Sequence, residues 1–317
     1  MTVRAPRGIL AIVGATATGK SALAVAVAER LGGEVISADA FAAYRGFDIG
    51  TAKPGVEERR SVPHHLIDVK DPRDPYSAGE FARRARAIAE DALSRGRLPI
   101  LCGGTGFYVR AFFGGLFEGP RRDPEVRRAL LAVRTRRGTA FLARALALLD
   151  PASAARVAPN DVSRLVRFLE IALAAGRRPS ELFEERPGER WERPAVKLLL
   201  GLPRPVLYGR IDDRFARTFL TGLPEEVHRI VASGVPLDAP AFAAIGYRDT
   251  AEYISGRIGR REWEGRILRS TRHFAKRQET WFRKEPGLLA IRADRSDLID
   301  LAVAHARPLF FDEGGPP

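Results

Sequence analysis

Gly-Ala-Thr-Ala-Thr-Gly-Lys-Ser, residues 14–21, follows the apolar residues 9–13 and precedes an Ala-, Val- and Leu-rich segment that ends at Gly32-Gly33. The stretch fits the P-loop pattern G-x-x-x-x-G-K-[ST] between a strand and a helix. Its two glycines permit a tight turn whose backbone N–H groups face inward at a helix N-terminus, and such a concavity binds phosphate oxygens. Lys20 adds positive charge, and the Ser21 hydroxyl can contact phosphate or a bound Mg²⁺. The stretch predicts a polyphosphate or pyrophosphate site and leaves open whether ATP is the ligand.

The composition indicates a polyanionic partner. The 317 residues carry a formal net charge of +13, which suggests binding to nucleic acid or to an anionic membrane surface. Cys102 is the only cysteine, so it forms no intrachain disulfide, and we expect it in the core of a protein from a reducing compartment. The histidines show no zinc spacing. Since no apolar run approaches the length of a membrane span, we expect a soluble, cytoplasmic protein.

The first third of the chain alternates strand and helix patterns. Strands are predicted at 9–13, 34–37, 65–69 and 98–101, and helices at 20–31 and 77–95, where Ser77 and Glu80 form a capping-box signal. This alternation predicts an α/β fold: a P-loop parallel sheet with helices on both faces. Ligands bind such sheets at the C-terminal ends of the strands, where Gly14, Asp39 and Gly103 fall.

A helical insertion interrupts this core. Helical periods at 124–136, 139–149, 162–174 and 179–184 show no strand between them, and a strand pattern returns at 196–202. We therefore predict a catalytic core from residues 1–120 and 196–317, with basic helices over 206–285, and an all-helical insertion over 121–195. Residues 314–317 are predicted to be disordered.

Asp39 ends the second predicted strand beside the P-loop. From its position alone it could hold Mg²⁺, act as a general base or cap a helix. Gly103-Gly104-Thr105-Gly106 lets backbone and hydroxyl approach a ligand closely, or only forms a tight strand-to-helix turn. The irregular segment 47–54, with Lys53 predicted to be exposed, suggests a functional loop.

Two basic segments extend the candidate site. Arg210 and Arg214 lie four residues apart on one side of a predicted helix. They could clamp a pyrophosphate, although pairing with Asp212 or Asp213 is the simpler interpretation. Residues 266–284 carry seven basic side chains, and Ile267, Phe274 and Trp281 recur every seven residues. This pattern predicts an inward apolar face and an outward face that contacts a nucleic-acid backbone, or a plain solvated basic helix.

Together these segments resemble one family, the bacterial tRNA dimethylallyltransferases. The most specific matches are Asp-Ile-Gly-Thr-Ala-Lys-Pro at 48–54 and Lys-Arg-Gln-Glu-Thr-Trp-Phe at 276–282. The P-loop, the segments 36–39, 64–68, 103–108 and 245–248, and Asn160-Asp161 with Arg164 and Arg167 match in family order, across about nine-tenths of the chain.

The resemblance implies transfer of a dimethylallyl group from dimethylallyl diphosphate to the exocyclic amine of the adenosine 3′ to the anticodon in tRNA. It implies that the P-loop holds the diphosphate of the prenyl donor, that Mg²⁺ assists with Ser21 as a ligand, and that the insertion grips the anticodon stem. A carboxylate that accepts the proton of the weakly nucleophilic amine would help, and Asp39 is the candidate. The adenosine must leave its stack to react. We expect a monomer that binds no membrane.

The residues that carry these roles follow from the matching positions. The catalytic candidates are Asp39, Thr105, Lys20 and Arg210. The diphosphate-binding candidates are Gly14, Ala15, Thr16, Ala17, Thr18, Gly19, Lys20, Ser21, Arg210 and Arg214. The tRNA-binding candidates are Asp39, Ala40, Phe41, Ala42, Thr105, Arg127, Ser163, Arg164, Leu165, Val166, Arg167, Ala243, Ala244, Ile245, Gly246, Tyr247, Arg248, Lys276 and Arg277.

One departure from the family is visible after the aspartate. Members of the family usually carry Ser and often Gln there, whereas this chain has Ala40-Phe41-Ala42-Ala43. We expect the change to affect hydrogen bonding to the flipped base and the tRNA preference more than the reaction. The alternative functions are an adenylate isopentenyltransferase, which needs no insertion or basic face, a P-loop small-molecule kinase, and a non-catalytic RNA-binding protein.

Overall fold

The computed structural model describes residues 5–310 except 61, 118, 121 and 186. The chain divides into two compact units, Met1–Phe113 with Trp191–Pro317, and Gly114–Arg190. Residues 314–317, which are predicted to be disordered, lie outside the described residues.

The first unit is built on one parallel sheet of six strands in the order β3-β2-β4-β1-β5-β6. Val13 lies opposite Gly103 and Ser37 opposite Cys102, so the C-terminal ends of β1, β2 and β4 share one edge. The strands are β1 Ile9–Gly14, β2 Gly33–Ser37, β3 His64–His65, β4 Leu98–Gly103, β5 Ala195–Gly201 and β6 Leu289–Arg292.

Fourteen α-helices accompany the sheet in the described part of the chain, and α5 to α9 form the second unit. The π-helix Phe215–Phe219 joins α10 to α11, and two 3₁₀ turns lie at Pro240–Ala243 and Arg307–Leu309. The α-helices are α1 Lys20–Leu31, α2 Val56–Arg59, α3 Ala78–Ser94, α4 Gly106–Gly114, α5 Pro124–Arg137, α6 Thr139–Leu149, α7 Pro151–Ala154, α8 Val162–Ala175, α9 Pro179–Glu185, α10 Arg204–Arg214, α11 Leu220–Ala232, α12 Tyr247–Ile254, α13 Arg260–Phe282 and α14 Leu298–Ala306.

Side-chain alternation along the strands explains how the helices cover the sheet. Leu10 and Ile12 of β1 pack in one core cluster with α1 and α14, while α3 packs against β2 and β4 without joining that cluster. Ser77 caps α3, because its side chain accepts a hydrogen bond from the Glu80 amide at 3.1 Å. The predicted α/β fold with helices on both faces is confirmed.

The predicted third strand at 65–69 is wrong in extent. Only His64 and His65 pair with β2, and the chain then turns away. Leu66 and Asp68 adopt left-handed φ angles of 62° and 57°, which are incompatible with extended pairing. The elements β6 and α14 were not predicted, because their short apolar runs carry no strong period.

Helices are the only regular secondary structure among the described residues of the second unit, and α5, α6, α8 and α9 match the predicted periods. Leu142, Leu146, Leu165, Val166 and Leu169 form its core. Asp150 fixes the turn between α6 and α7, because its buried carboxylate accepts hydrogen bonds from the Ser153 amide at 3.0 Å and the Ser180 amide at 2.8 Å. Among the described helices of the chain, none is both long and apolar enough to cross a bilayer.

A second apolar cluster of the first unit surrounds a buried carboxylate. Phe47, Tyr247 and Trp263 are buried there, and the Phe47 and Tyr247 rings lie 4.6 Å apart. Glu226, 3% exposed, accepts a hydrogen bond from the Tyr247 hydroxyl at 2.5 Å. Its other oxygen accepts hydrogen bonds from the Asp48 amide at 3.2 Å and the Ile49 amide at 2.8 Å. This carboxylate therefore ties the loop after Phe47 to α11 and α12.

The replacement Tyr247→Phe should lower the free energy of unfolding by about 1–3 kcal/mol, because it leaves a buried carboxylate oxygen without its donor. Urea denaturation measures this change. Tyr208→Phe is the control, since the contact of Tyr208 with Arg272 is made by the ring, which Phe retains. An unchanged unfolding free energy for Tyr247→Phe would show that the buried bond contributes nothing to stability.

Candidate active site at the P-loop

The P-loop connects β1 to α1 in the strand–turn–helix context that the pattern predicted. Gly14 packs so tightly that a Cβ there would lie 2.6 Å from the Leu200 carbonyl oxygen. Ala17 and Gly19 adopt left-handed φ angles of 63° and 89°. The Thr18 hydroxyl and the Lys20 ammonium both donate hydrogen bonds to the Ala15 carbonyl, at 2.9 and 3.1 Å. The side chains of Thr18 and Lys20 thus hold the loop in a conformation in which the N-terminus of α1 faces the ligand site.

A cavity of about 790 Å³ opens on this loop, and its P-loop end is cationic. Lys20, Arg210 and Arg214 all line it. The Arg214 guanidinium donates a hydrogen bond to the Thr16 hydroxyl at 3.0 Å. Burial lowers the pKa of Lys20 and of Arg214, while the nearby Asp39 carboxylate acts to raise both pKa values. An anion that entered this end would offset the cost of burying the two cations.

The two arginines of α10 face the P-loop rather than the neighbouring aspartates. Asp212, the simpler partner on sequence grounds, forms its ion pair with Arg272 at 2.7 Å instead. Arg210 reaches Gly19, where a Cβ in place of the glycine hydrogen would lie 3.8 Å from its guanidinium. The structure therefore brings both arginines to the predicted diphosphate site.

Asp39 both caps a turn and lines the cavity. Its Oδ1 accepts hydrogen bonds from the amides of Phe41 and Ala42, at 2.9 and 3.3 Å. The side chain also belongs to the cavity wall. The capping role and the predicted role at the site are therefore compatible, because capping uses one oxygen and holds the carboxylate in a defined orientation.

Thr105 joins the loop after β4 to the Asp39 turn. Its hydroxyl accepts a hydrogen bond from the Ala40 amide at 3.1 Å, and its own amide donates to the Ala38 carbonyl at 3.2 Å. The glycines around it make room for protein atoms. A Cβ on Gly103, Gly104 or Gly106 would lie 2.2 Å from Ala38, Gln278 or Trp281, respectively. Of the two predicted purposes of these glycines, the structure shows the close packing of protein atoms.

Gln278 is a site residue that sequence analysis did not identify. This buried side chain of α13 accepts a hydrogen bond from the Thr16 amide at 2.9 Å and donates one to the Gly104 carbonyl at 2.8 Å. It therefore joins the P-loop to the loop that carries Thr105. A glutamine amide is suited to this position because it can accept and donate at once. The only available signal was its place in the specific 276–282 segment.

The predicted exposure of Lys53 is wrong, and the predicted inward face of α13 is confirmed only in part. The Lys53 side chain is 2% exposed rather than exposed, because it is enclosed by Asp48, Asp68 and the Tyr44 carbonyl. On α13, Phe274 and Trp281 are only half-buried, although Ile267 is buried as predicted. A helix turns every 3.6 residues, so its inner face drifts away from a seven-residue repeat. The buried row is Trp263, Ile267, Thr271, Ala275, Gln278 and Phe282.

The basic face of α13 is narrower than predicted. Arg266 pairs with Glu252 and Glu262, and Arg272 pairs with Asp212. The side chains that remain exposed are Arg269, Lys276, Arg277, Arg283 and Lys284. Arg277 also lines the cavity, so this exposed row reaches the site.

The structure sorts the remaining tRNA-binding candidates by exposure. Leu165, Val166 and Tyr247 are core side chains and Gly246 is buried, so a contact of tRNA with these four residues stays a prediction that only their backbone could fulfil. Arg127 and Arg167 lie 3.8 and 3.2 Å from the fully buried Glu170 carboxylate. The candidates that line the cavity are Asp39, Phe41, Ala42, Ala243, Ala244, Ile245 and Arg277. The exposed candidates outside it are Ser163, Arg164, Arg248 and Lys276.

Cys102 lies in the core, as predicted, and also forms part of the cavity wall. Burial raises the pKa of its thiol to about 11, although the Lys20 charge and a hydrogen bond with Ser21 oppose the shift. The thiol is therefore protonated at neutral pH, which excludes a thiolate nucleophile here.

The replacement Gln278→Glu should weaken the binding of inorganic pyrophosphate by tenfold or more. The new carboxylate adds negative charge beside the P-loop and cannot donate to Gly104, and tenfold corresponds to only about 1.4 kcal/mol. Isothermal titration calorimetry measures the affinity, with Thr280→Ala on the exposed side of α13 as the control. If Gln278→Glu binds pyrophosphate with wild-type affinity, Gln278 does not influence the anion site.

Comparison with known proteins agrees with this geometry. The family model for IPP transferase matches residues 42–285, and a model for isopentenyl transferase matches residues 7–71, which include the P-loop. A tRNA dimethylallyltransferase of Koribacter versatilis is 43% identical over 282 residues, which cover 88% of this chain and 90% of the relative.

Solved structures show the same likeness in three dimensions. The tRNA isopentenylpyrophosphate transferase of Bacillus halodurans superposes with a TM-score of 0.69 at 35% identity, covering 96% of this chain and 98% of that one. A eukaryotic dimethylallyltransferase described as acting on tRNA gives a TM-score of 0.77 at 26% identity, covering 90% of this chain and 74% of that one. With the family model matching most of the chain, and a relative so similar along nearly its whole length, the chain belongs to the tRNA dimethylallyltransferase family.

Proposed function

We propose that this protein transfers a dimethylallyl group from dimethylallyl diphosphate to the exocyclic amine of the adenosine 3′ to the anticodon in tRNA. The observation that carries the proposal is a single cavity that holds both kinds of charge. Lys20, Arg210 and Arg214 line the P-loop end, and Asp39 lines the same cavity. A site that must bind a diphosphate and deprotonate an amine needs both groups within reach of one ligand pair.

The bond changes fit the charges of this cavity. The adenosine N6 lone pair forms a bond to C1 of the prenyl group, while the C1–O bond breaks and its electron pair leaves with the diphosphate. The cationic end stabilises the charge that develops on the leaving group. Asp39 accepts the proton that the amine loses, with its capped oxygen holding the carboxylate in place. The products are N6-dimethylallyladenosine and diphosphate.

The apolar part of the cavity wall suits an unsaturated hydrocarbon and a base. Phe41, Phe219, Ile245 and Phe274 line it. Such surfaces exclude water and stack against the faces of bases. Phe41 lies within the Ala40-Phe41-Ala42 departure and offers an aromatic surface where polar side chains are usual, so we expect it to contact the flipped adenine by stacking rather than by hydrogen bonding.

The donor atoms present fit Mg²⁺ that is shared with a diphosphate. The Ser21 hydroxyl and the Asp39 carboxylate both line the cavity, and the described residues contain no cluster of three or more His, Cys, Asp or Glu that could enclose a metal. Mg²⁺ commonly takes one or two protein oxygens together with substrate phosphates and water. When bound, it would supply further positive charge to the leaving group, with Ser21 as its protein ligand.

We further propose that tRNA binds along the exposed basic row of α13 and on the helical unit. Lys276 and Arg277 lie on that row, next to the cavity wall. In the helical unit, Ser163 and Arg164 are exposed at the start of α8, so they can reach a phosphate backbone. Arg127 and Arg167 are held by Glu170, and we assign them to shaping this surface as well as to contacting the anticodon stem.

A transfer assay tests the reaction, with radiolabelled dimethylallyl diphosphate, Mg²⁺ and unmodified bulk tRNA or AMP in parallel. Asp39→Asn is the sharpest variant, because its amide oxygen can still cap Phe41 and Ala42 but cannot act as a base. We expect label in tRNA alone and a rate about 10²–10⁴-fold lower for Asp39→Asn. Asp213→Asn, an exposed aspartate of α10, is the matched control.

Label in AMP rather than in tRNA would favour an enzyme of free nucleotides. Transfer at an unchanged rate by Asp39→Asn would remove this residue as the base. If no label enters either acceptor, the proposed reaction is wrong.

Lys276→Ala should raise KM for tRNA and leave the affinity for a donor analogue unchanged. It should also reduce the slope of log KM against log salt concentration by up to about 1, because one phosphate contact is lost. Steady-state kinetics at several salt concentrations measure both quantities. The control is Arg295→Ala, an exposed residue paired with Asp297 at 2.6 Å near β6. The same salt dependence in wild type and Lys276→Ala would place the tRNA backbone elsewhere.

A further inference from the structure

Lys53 is the centre of an ion-pair hub that the reaction chemistry does not use. Its ammonium donates hydrogen bonds to the Tyr44 carbonyl at 2.7 Å, to Asp68 at 2.6 Å and to Asp48 at 2.5 Å. All three ammonium protons therefore have acceptors. The side chain is 2% exposed, whereas those of Asp48 and Asp68 are 56% and 41% exposed. In this hub the lysine is therefore buried, while the two carboxylates remain partly exposed to solvent.

The hub joins three separate stretches of chain. Tyr44 follows the Asp39 turn, Asp48 begins the segment 48–54, and Asp68 follows β3. The stretch around Asp68 also pairs with the Asp39 side through its backbone: the Asp68 amide donates to the Ala42 carbonyl at 3.2 Å and the Lys70 amide to the Ala43 carbonyl at 2.9 Å.

A short path of hydrogen bonds therefore runs from Lys53 to Asp39. Lys53 binds the Asp68 carboxylate, the Asp68 amide binds the Ala42 carbonyl, and the Ala42 amide binds the Asp39 carboxylate. The Asp39 turn has a second support, the Thr105 hydroxyl at the Ala40 amide. Of these two supports, Thr105 acts from the loop after β4, and Lys53 acts through the stretch after β3.

The backbone around the hub is strained. Ala52, Leu66 and Asp68 adopt left-handed φ angles of 52°, 62° and 57°, three of the five non-glycine residues of the described chain that do so. Such conformations persist only where surrounding contacts hold them, and they concentrate at ligand sites. Gly50, Thr51, Ala52 and Ile67, all beside the hub in the chain, line the cavity. The hub therefore holds a strained wall of the active site.

We propose that Lys53 is a positioning residue for the transfer reaction, whose ion pairs hold the turn that presents the Asp39 carboxylate to the acceptor amine. The proposal rests on the proposed function. Lys53 is not among the residues that line the cavity, so we assign it an indirect role. Its effect on the reaction passes through the Asp39 turn, while the P-loop end stays intact.

The test is a double-mutant cycle of Lys53→Met and Asp39→Asn, with single-turnover transfer rates measured under excess enzyme. Displacement of a catalytic group by about 1 Å can cost about 10²-fold in rate, so we expect a fall of that size for Lys53→Met alone. In the Asp39→Asn background the same replacement should have little further effect, because the group that it positions has already lost its basicity. The affinity for a thiolodiphosphate analogue of the donor should stay near the wild-type value.

Lys70→Met is the matched control. Lys70 follows the same stretch of chain and pairs with Glu80 at 2.9 Å, but its ammonium takes no part in the hub. Its transfer rate should stay close to that of wild type. Lys53→Arg, which retains the charge, should recover part of the rate lost in Lys53→Met.

A second variant tests the proposal in case Lys53→Met does not fold. Asp68→Ala removes one acceptor of the hub at a part-exposed position, and we expect a smaller loss of rate that again disappears in the Asp39→Asn background. Additive effects of the two replacements, or equal losses of rate and donor-analogue affinity, would overturn the positioning role and leave a structural one. Wild-type protein that transfers nothing would overturn both this proposal and the proposed function, whereas full activity of Lys53→Met would overturn this proposal alone.

Discussion

The parallel alignment of β1, β2 and β4 is the constraint on which the site depends. Since Val13 lies opposite Gly103 and Ser37 opposite Cys102, the loops that follow these strands leave the sheet at the same edge. The P-loop, the Asp39 turn and the Thr105 loop are consequently neighbours, although 65 residues separate Ala40 from Thr105 along the chain. A parallel sheet gives this convergence with no further requirement on sequence.

The sheet brings these loops to one edge, but it does not fix the distances between them. Hydrogen bonds from polar side chains fix those distances. Gln278 joins the P-loop to the Thr105 loop, Thr105 joins its loop to the Asp39 turn, and Lys53 supports that turn from the stretch after β3. Gln278 and the Lys53 side chain are buried, so loss of their bonds would leave polar groups without partners. The glycines at 104 and 106 have a clear purpose in this arrangement, because any larger residue would push α13 and its Gln278 away.

The basic residues of the chain have three different environments that composition cannot distinguish. Lys20 and Arg214 are cations whose burial lowers their pKa values, and a bound anion would compensate that burial. Arg266, Arg272 and Arg167 are instead paired with carboxylates. The exposed row on α13 is one part of the surplus that remains for a polyanion. A count of arginines therefore overstates the binding surface.

Much of the fold could be predicted because its signals are local. The P-loop, β1, α1, β2, β4 and the helical periods of the second unit depend on spacing within a few residues, and the structure has them at nearly the predicted bounds. The third strand was overextended, because left-handed residues at Leu66 and Asp68 leave no trace in an apolar pattern. The elements β6 and α14 are stabilised by packing on the sheet and carry little local periodicity.

The features of the active site also fall into those that local sequence predicts and those that depend on tertiary packing. The sequence by itself determined that a phosphate-binding loop, an aspartate at a strand end and a threonine among glycines would share one sheet edge, since these follow from motif and topology. Only the tertiary structure decided that Arg210 and Arg214 turn to the P-loop, that Gln278 bridges two loops, that Lys53 is buried, and that Leu165, Val166 and Tyr247 belong to cores. Gln278 and Lys53 meet partners as far as 262 and 15 residues away, and no local pattern encodes which of several polar groups will meet when distant segments pack.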